Sequence, residues 1–257
     1  MAEIKIREIL MECRDGVMLI HIHRPDRKNA LTLSMYTALT AALESAAGDP
    51  EVRVAVLTGS GDSFTSGNDI ADFLAAPPTG EDSPVFRFLA ALRQFEKPLI
   101  AAVNGIAVGI GVTLLLHCDL VYVRAGAMLQ LPFVNLGLCP EAASSLLLPR
   151  LIGYPRAAEL LLLGEPFSAE QALDWGLINA LGADADATLE QALATARRLA
   201  RQPAAAVRLT KALLKRSEAE AVRETLALEG RHFKERLRSP EAIAALQAFA
   251  GRRRSGA

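Results

Sequence analysis

Two glycine-containing turns, each placed directly after an apolar run rich in small and β-branched residues, constrain the fold of this chain most strongly. The first turn spans residues 59–70 and follows the run at 52–58, and the second spans residues 104–111 and follows the run at 99–103. Each segment reads as a buried strand, a tight turn and a helix. Short buried strands separated by helices indicate an α/β core with parallel strand pairing.

Glycines in such turns let the backbone approach a ligand closely and direct N–H groups into a cleft. Two of these turns side by side could aim two main-chain donors at one oxygen, which is the geometry of an oxyanion hole. The spacing alone fits better with glycines that only make turns. A phosphate-binding loop is excluded because no Gly-Lys-Ser/Thr sequence follows either turn. The second turn also lacks the well-placed acidic residue of a dinucleotide-binding motif.

The remaining pattern divides into a mixed first part and a helical second part. A hairpin is predicted from strands at 3–10 and 17–23, and further strands at 119–124 and 128–131. Helices are predicted at 33–47, 84–95, 109–117, 142–152, 155–163, 168–175, 189–201, 204–216, 219–236 and 240–250, with no strand after about residue 142. We therefore expect a core over residues 1–200 and a C-terminal helical region over 201–257.

Composition, charge and cysteine content predict a soluble protein of the cytoplasm. Hydrophobic residues make up 51% of the chain and charged residues 22%, with a net charge of −1, which does not suggest binding to nucleic acid. No uncharged apolar stretch is long enough to cross a membrane, and the charged N-terminal segment predicts no signal peptide. Three cysteines without paired spacing predict no disulfide framework. His21 and His23 lack a cluster of further ligands, so we expect no metal.

Several segments, taken in order, resemble the enoyl-CoA hydratase/isomerase (crotonase) superfamily over nearly the whole chain. They are RPDRKNAL at 24–31, FTSGNDI at 64–70, KPLIAAVNG at 97–105, GIG at 109–111, LGEPFSA at 163–169 and WGLI at 175–178. The resemblance implies a crotonase-type α/β fold, a spiral of ββα units followed by a C-terminal helical trimerisation region. It also implies an acyl-CoA thioester as substrate, no separate cofactor, and a homotrimer or dimer of trimers.

The same resemblance implies roles for residues of the two glycine turns and of the first motif. The N–H groups of Asn68 and Ile110 would form the oxyanion hole. The backbone around Ser66, Asn68 and Ile70 would hold the adenine and pantetheine parts of coenzyme A. Arg27 would lie near the phosphates, and Ala30 would lie against the bent coenzyme A. Asp69 is a further substrate-binding candidate, although its position also suits a turn or a helix cap.

The family's hydratases use two glutamates, and this chain has neither of them. The two positions correspond to Thr113 and Phe133, which cannot act as carboxylate bases, so an ordinary two-glutamate hydratase is disfavoured. The Pro140-Glu141 pair instead resembles the Δ3,Δ2-enoyl-CoA isomerases, in which a lone glutamate shuttles the proton. Pro140 and Glu141 could alternatively do no more than open a helix, since an acid is favourable at a helix N-terminus.

An apolar lining of Phe133, Leu136 and Leu138 would raise the pKa of Glu141 and exclude water. We therefore predict an enzyme that stabilises a thioester enolate and moves the double bond of a 3-enoyl-CoA to the 2-trans position. The alternatives are an atypical hydratase or another reaction of the superfamily, and a CoA-binding subunit without activity. Lys211 and Lys215, on a predicted helix, are weaker candidates for a phosphate contact.

Overall fold

The structure is a computed structural model, and it describes residues 8–78, 80 and 82–254. Its strands are β1 Ile9–Arg14, β2 Val17–Ile22, β3 Val54–Gly59, β4 Ser63–Thr65, β5 Leu99–Val103, β6 Ile106–Val108, β7 Leu120–Arg124, β8 Met128–Gln130, β9 Pro166–Ser168 and β10 Ala180–Gly182. Its α-helices are α1 Leu33–Gly48, α2 Ile70–Ala75, α3 Pro84–Gln94, α4 Ile110–Thr113, α5 Ser144–Ile152, α6 Tyr154–Leu163, α7 Ala169–Asp174, α8 Ala185–Ala200, α9 Ala204–Lys215, α10 Ala219–Leu237 and α11 Pro240–Arg254.

Within the residues that the structure describes, the strands form two sheets. The larger sheet has the order β1-β2-β3-β5-β7-β10, and its neighbours are parallel except for the β1–β2 hairpin. The smaller sheet has the order β4-β6-β8-β9, with only β8 and β9 antiparallel. Each consecutive pair (β3 and β4, β5 and β6, β7 and β8) contributes one strand to each sheet before the chain turns into a helix. This repetition confirms the predicted spiral of ββα units.

The two central strands of the larger sheet are buried on both faces, which explains why their sequences are continuously apolar. On β3, Val54 and Val56 pack towards Ala192 and Ala196 of α8, whereas Ala55 and Leu57 belong to the core on the opposite face. Successive residues of a strand point to opposite faces, so a strand covered on both sides needs an apolar residue at every position. The strands predicted from the apolar runs before the two glycine turns, at 52–58 and 99–103, are therefore confirmed, with small shifts of their ends.

The helix boundaries follow local capping signals. The Thr32 hydroxyl accepts a hydrogen bond from Met35 N–H at 3.3 Å at the start of α1. Ser168 and Gln171 form the predicted capping box of α7, in which each side chain accepts from the other residue's N–H. A cap of this kind stabilises a helix by about 1 kcal/mol. No helix in the described residues combines the length and low charge that crossing a bilayer requires.

Two predictions about secondary structure are corrected. Strands do not stop near residue 142, because β9 pairs with β8 and β10 adds to the edge of the larger sheet beside β7. Both strands have three residues, too few to show an alternating pattern. The predicted hairpin is present, with Asp15 and Gly16 left-handed at its turn (φ 53° and 76°). Its first strand runs Ile9–Arg14 instead of 3–10, and residues 3–7 lie outside the described residues.

Candidate active site

The two glycine turns meet at the ends of neighbouring parallel strands. β4 pairs with β6 in the smaller sheet, with Thr65 opposite Ala107, so the segments that follow these strands lie side by side. The contact is close. A Cβ added to Gly67, whose φ is +89°, would lie 3.0 Å from the carbonyl oxygen of Val108, and one added to Gly111 would lie 2.7 Å from Cγ2 of Thr65. Glycine is therefore required in both turns for the backbones to approach.

Each turn presents a main-chain N–H that its own secondary structure does not use. Leu31 N–H donates to Gly67 O, and Asp69 N–H donates to Leu31 O, both at 2.8 Å. In a parallel pairing of this kind, the N–H of the residue between those partners, Asn68, points away from Leu31. Ile110 is the first residue of α4, where an N–H has no acceptor within the helix. The two N–H groups predicted as an oxyanion hole are thus both available for a ligand.

A cavity of about 410 Å³ joins these turns to Glu141. It is lined by Lys28, Ser66, Gly67, Asn68, Ile70, Phe73, Ile106, Val108, Gly109, Ile110, Gln130, Pro132, Phe133, Asn135, Leu136, Leu138, Glu141, Phe233, Leu246 and Phe249. All three predicted catalytic residues are in this set, together with five of the predicted substrate contacts: Ser66, Ile70, Phe133, Leu136 and Leu138. The helical C-terminal part also contributes to the wall, from α10 and α11.

Three predicted substrate contacts do not line the cavity. Arg27 lies on the exposed surface, and Ala30 is fully buried, with its carbonyl accepting a hydrogen bond from Arg24. The Asp69 carboxylate accepts from the N–H groups of Ala71 and Asp72 and pairs with Arg24 at 2.7 Å. Asp69 therefore caps α2, which is the alternative role that its position suggested.

The loop before α1 is held so that Lys28 reaches the cavity. Asn29 is fully buried, and its side-chain amide donates to Ser60 O at 2.9 Å and to Ser63 O at 2.6 Å. Its side-chain oxygen accepts from Arg24 N–H at 2.8 Å. Lys28 and Asn29 both adopt the left-handed conformation, with φ of 50° and 55°. The cation that lines the cavity is thus Lys28, the neighbour of Arg27, which the family resemblance indicates.

Glu141 is the buried acid of the cavity. Its residue is only 5% exposed, and its Oε1 has no hydrogen-bond partner among the residues that the structure describes. Burial, reinforced by the negative charge of Glu229, raises the pKa of Glu141 from 4.5 to about 8. A carboxyl group in this environment is a stronger base than a solvated one and has a free oxygen with which to take a proton.

Tyr36 of α1 is hydrogen-bonded to the first glycine turn. Its hydroxyl group, fully buried, donates a short hydrogen bond to the side-chain oxygen of Asn68. Burial raises the pKa of Tyr36 well above 10, and the charge of Glu141 adds to this effect, so the phenol remains a donor. No signal in the sequence marks Tyr36, because its place on the buried face of α1 is typical of an ordinary core residue.

The two positions of the hydratase glutamates hold no base. Thr113 lies fully buried on α4, and its hydroxyl group has no partner in the described part of the chain. Phe133 lines the cavity with its ring. Among the described residues, no group of three or more His, Cys, Asp or Glu side chains could hold a metal ion. Lys211, considered as a phosphate contact, is instead buried and bonded to Lys97 O and to Asp119, both at 2.7 Å.

This chain is similar to known proteins over most of its length. The family model for enoyl-CoA hydratase/isomerase matches residues 12–256. Enoyl-CoA delta isomerase 2 of Rattus norvegicus is 36% identical over 95% of this chain, which spans 64% of that relative's length. The 1,2-epoxyphenylacetyl-CoA isomerase of Escherichia coli is 35% identical, with 95% and 96% of the two chains covered. The 2,3-dehydroadipyl-CoA hydratase of Escherichia coli is 36% identical, with 82% and 83% covered.

Solved structures are similar over the same extent. The structure of Pseudomonas aeruginosa OdaA superposes with a TM-score of 0.92 at 54% identity, covering 94% of this chain and 98% of the other. An enoyl-CoA hydratase/isomerase from Pseudoalteromonas atlantica has a TM-score of 0.90 at 38% identity, with 95% and 97% covered. The fold therefore agrees with the resemblance drawn from the sequence.

Proposed function

The chain belongs to the enoyl-CoA hydratase/isomerase family, and from this premise we propose that it moves the double bond of a 3-enoyl-CoA to the 2-trans position. The observation that carries the proposal is the content of one cavity. Two main-chain N–H groups without a partner in their own elements share it with a buried carboxyl group that has a bare oxygen. This combination suits a reaction that places negative charge on a thioester oxygen and moves one proton.

The proposed reaction has two proton-transfer steps. Glu141 takes a proton from C2 of the 3-enoyl thioester, and the resulting dienolate carries its charge on the thioester oxygen. The N–H groups of Asn68 and Ile110 donate hydrogen bonds to that oxygen. Glu141 then returns the proton to C4, which leaves a double bond between C2 and C3. One carboxyl group suffices, because the reaction neither gains nor loses a proton overall.

The environment of Glu141 favours this role. With a pKa of about 8, about a tenth of the carboxyl groups are ionised at pH 7, and each ionised group is a stronger base than a solvated carboxylate. The rings of Phe133 and Phe233 and the side chains of Leu136 and Leu138 surround the cavity and limit water beside the acid. Exclusion of water also strengthens the hydrogen bonds that receive the negative charge.

The experiment that tests the proposal follows isomerisation directly. Purified protein receives 3-hexenoyl-CoA, and formation of the conjugated 2-enoyl thioester is followed by its ultraviolet absorbance. We expect turnover by the wild type and a loss of about 10³-fold or more in Glu141→Gln, because removal of the sole base removes the chemical step. Glu44→Gln, an exposed glutamate of α1, is the matched control and should retain wild-type turnover.

Two other outcomes would replace the proposal. Loss of the conjugated absorbance of trans-2-hexenoyl-CoA would indicate hydration, the activity named for one relative of similar identity. Tight binding of an acyl-CoA without isomerisation, and without exchange of the α-proton in deuterated water, would indicate a binding subunit. In each case the enoyl-CoA isomerase assignment would be abandoned.

We further propose that the protein assembles as a homotrimer or a dimer of trimers. Three leucines of α9, Leu209, Leu213 and Leu214, are 61%, 60% and 77% exposed in the isolated chain. Large apolar side chains clustered on one exposed helix are characteristic of a surface that another protein chain covers. The position of α9 in the C-terminal helical part agrees with the trimerisation region that the family resemblance implies.

A further inference from the structure

A second buried glutamate, Glu229, lies behind Glu141. It belongs to α10 and is 6% exposed, on the face of that helix that also buries Val222, Phe233 and Leu237. A carboxylate on an apolar helix face carries a large desolvation cost unless hydrogen bonds replace the lost water. Its partners therefore indicate what it does in this position.

The carboxylate of Glu229 is bonded entirely to the segment that follows Glu141. Its Oε2 accepts from Ala143 N–H at 2.6 Å, and its Oε1 accepts from Ser145 N–H at 2.9 Å and from the Ser145 hydroxyl at 2.5 Å. These N–H groups lie at the start of α5, where a helix leaves donors without partners, and the residue at the N-cap supplies no side-chain bond. Glu229 thus caps α5 from another helix and places a negative charge at its positive end.

The segment that Glu229 holds has an unusual backbone. Ala142 and Ala143 directly follow Glu141 and are both left-handed, with φ of 59° and 57°. Alanine disfavours this conformation and has no polar side chain that could stabilise it, so the surroundings must impose it. Two hydrogen bonds do so: Ala143 N–H donates to Glu229, and Ala142 O accepts from the buried ring nitrogen Nε2 of His117 at 2.8 Å. Because these two residues adjoin Glu141, the turn that they form holds the backbone at the end of Glu141 in place.

We propose that Glu229 is a positioning residue, which holds the turn at 142–145 so that the Glu141 carboxyl group faces the carbon atoms of the substrate. This inference rests on the proposed role of Glu141 as the base. Glu229 also acts through its charge, since it is the charged group that, after burial, contributes to the raised pKa of Glu141. The other titratable groups around the pair are Tyr36 of α1, His117, Cys139 and Arg236.

The test compares Glu229→Gln with a matched variant, Glu224→Gln, an exposed glutamate of the same helix. A glutamine has only one oxygen, so its NH₂ group must face one of the N–H donors of Ala143 and Ser145, and the turn loses a bond. We expect kcat to fall by about 10²-fold with KM within about twofold, as for a displaced catalytic group. Loss of the like charge lowers the pKa of Glu141, so the acid limb of the kcat profile should move to lower pH. Glu224→Gln should change neither quantity.

Exchange of the α-proton of hexanoyl-CoA in deuterated water separates this inference from the proposed function. If the wild type exchanges this proton but does not isomerise 3-hexenoyl-CoA, the isomerase proposal fails, and Glu229 is then judged on the exchange rate alone. Folded Glu229→Gln enzyme that exchanges at the wild-type rate with an unmoved pH midpoint would overturn the positioning role. If Glu229→Gln does not fold, the same exchange measurement on Glu229→Asp tests the positioning role. This variant keeps the charge on a shorter side chain, so a reduced rate at an unmoved midpoint supports the role, and a wild-type rate overturns it.

Discussion

Replacing the buried acid of the cavity should change stability in a direction opposite to its effect on activity. The pKa of Glu141 is raised from 4.5 to about 8, first by burial and then by the charge of Glu229. Below pH 4.5 the carboxyl group is protonated in both the folded and the unfolded chain, and it contributes no dependence on pH. Between pH 4.5 and about 8 the unfolded chain releases the proton while the folded chain keeps it, so the folded state loses stability as the pH rises.

The size of this effect follows from the two pKa values. Each pH unit between them corresponds to about 1.4 kcal/mol, so the difference between 4.5 and about 8 amounts to about 5 kcal/mol. Glu141→Gln removes the titrating group and retains its approximate shape. The difference in unfolding free energy between variant and wild type should therefore shift by about 4 kcal/mol of this total in favour of the variant between pH 4.5 and pH 8.5.

Urea unfolding at several pH values measures this difference. Both proteins are unfolded at one protein concentration, because the stability of an oligomer depends on concentration. The quantity to compare is how the difference in unfolding free energy between Glu141→Gln and wild type changes with pH. Its absolute size is less informative, because Gln also leaves a polar atom buried at every pH. Glu44→Gln serves as the control and should run parallel to the wild type. A constant difference between Glu141→Gln and wild type over that range would refute the view that Glu141 is held protonated by its surroundings.

Two further predictions concern the glycine turn and the exposed helix. Gly67→Ala forces alanine to φ +89° with its Cβ 3.0 Å from Val108 O, so we expect about 1–3 kcal/mol less stability and a fall in kcat of about tenfold or more. Gly48→Ala is the control, because no atom lies within 4 Å of the added Cβ, and it should retain wild-type kcat. Equal kcat values for the two variants would contradict the close approach of the turns. The paired change of Leu213 and Leu214 to Glu should reduce the mass measured by sedimentation from that of a trimer or hexamer to that of a monomer, and an unchanged mass would exclude α9 as the interface.

The sequence predicted the parts of the site that depend on local chain geometry. Gly67 and Gly111 marked turns after buried strands, and parallel pairing of β4 with β6 brings those turns into contact. The Pro140-Glu141 segment was recognised from the family resemblance and from the absence of glutamate at positions 113 and 133. The structure places that acid in the same cavity as Asn68 and Ile110.

The parts that were missed depend on contacts between distant segments. Glu229 is 88 residues from Glu141 in the chain, and only the packing of α10 against α5 brings its carboxylate to Ala143. A signal was present, since Glu229 interrupts the apolar face of an otherwise regular helix, and such a charge requires a buried partner. Lys211 is a second example, because the sequence indicates only a helical lysine that could contact a phosphate, whereas the structure buries it against Asp119.

Transfer of an isotopic label tests most directly whether Glu141 carries one proton between two carbon atoms beneath the paired N–H donors. The substrate is 3-hexenoyl-CoA with deuterium at C2, incubated in ordinary water with wild type and with Glu141→Gln. We expect the wild-type product to carry deuterium at C4, because the buried acid is shielded from exchange with water, and we expect almost no product from the variant. Product formed by Glu141→Gln at the wild-type rate, with only solvent hydrogen at C4, would contradict the proposed mechanism.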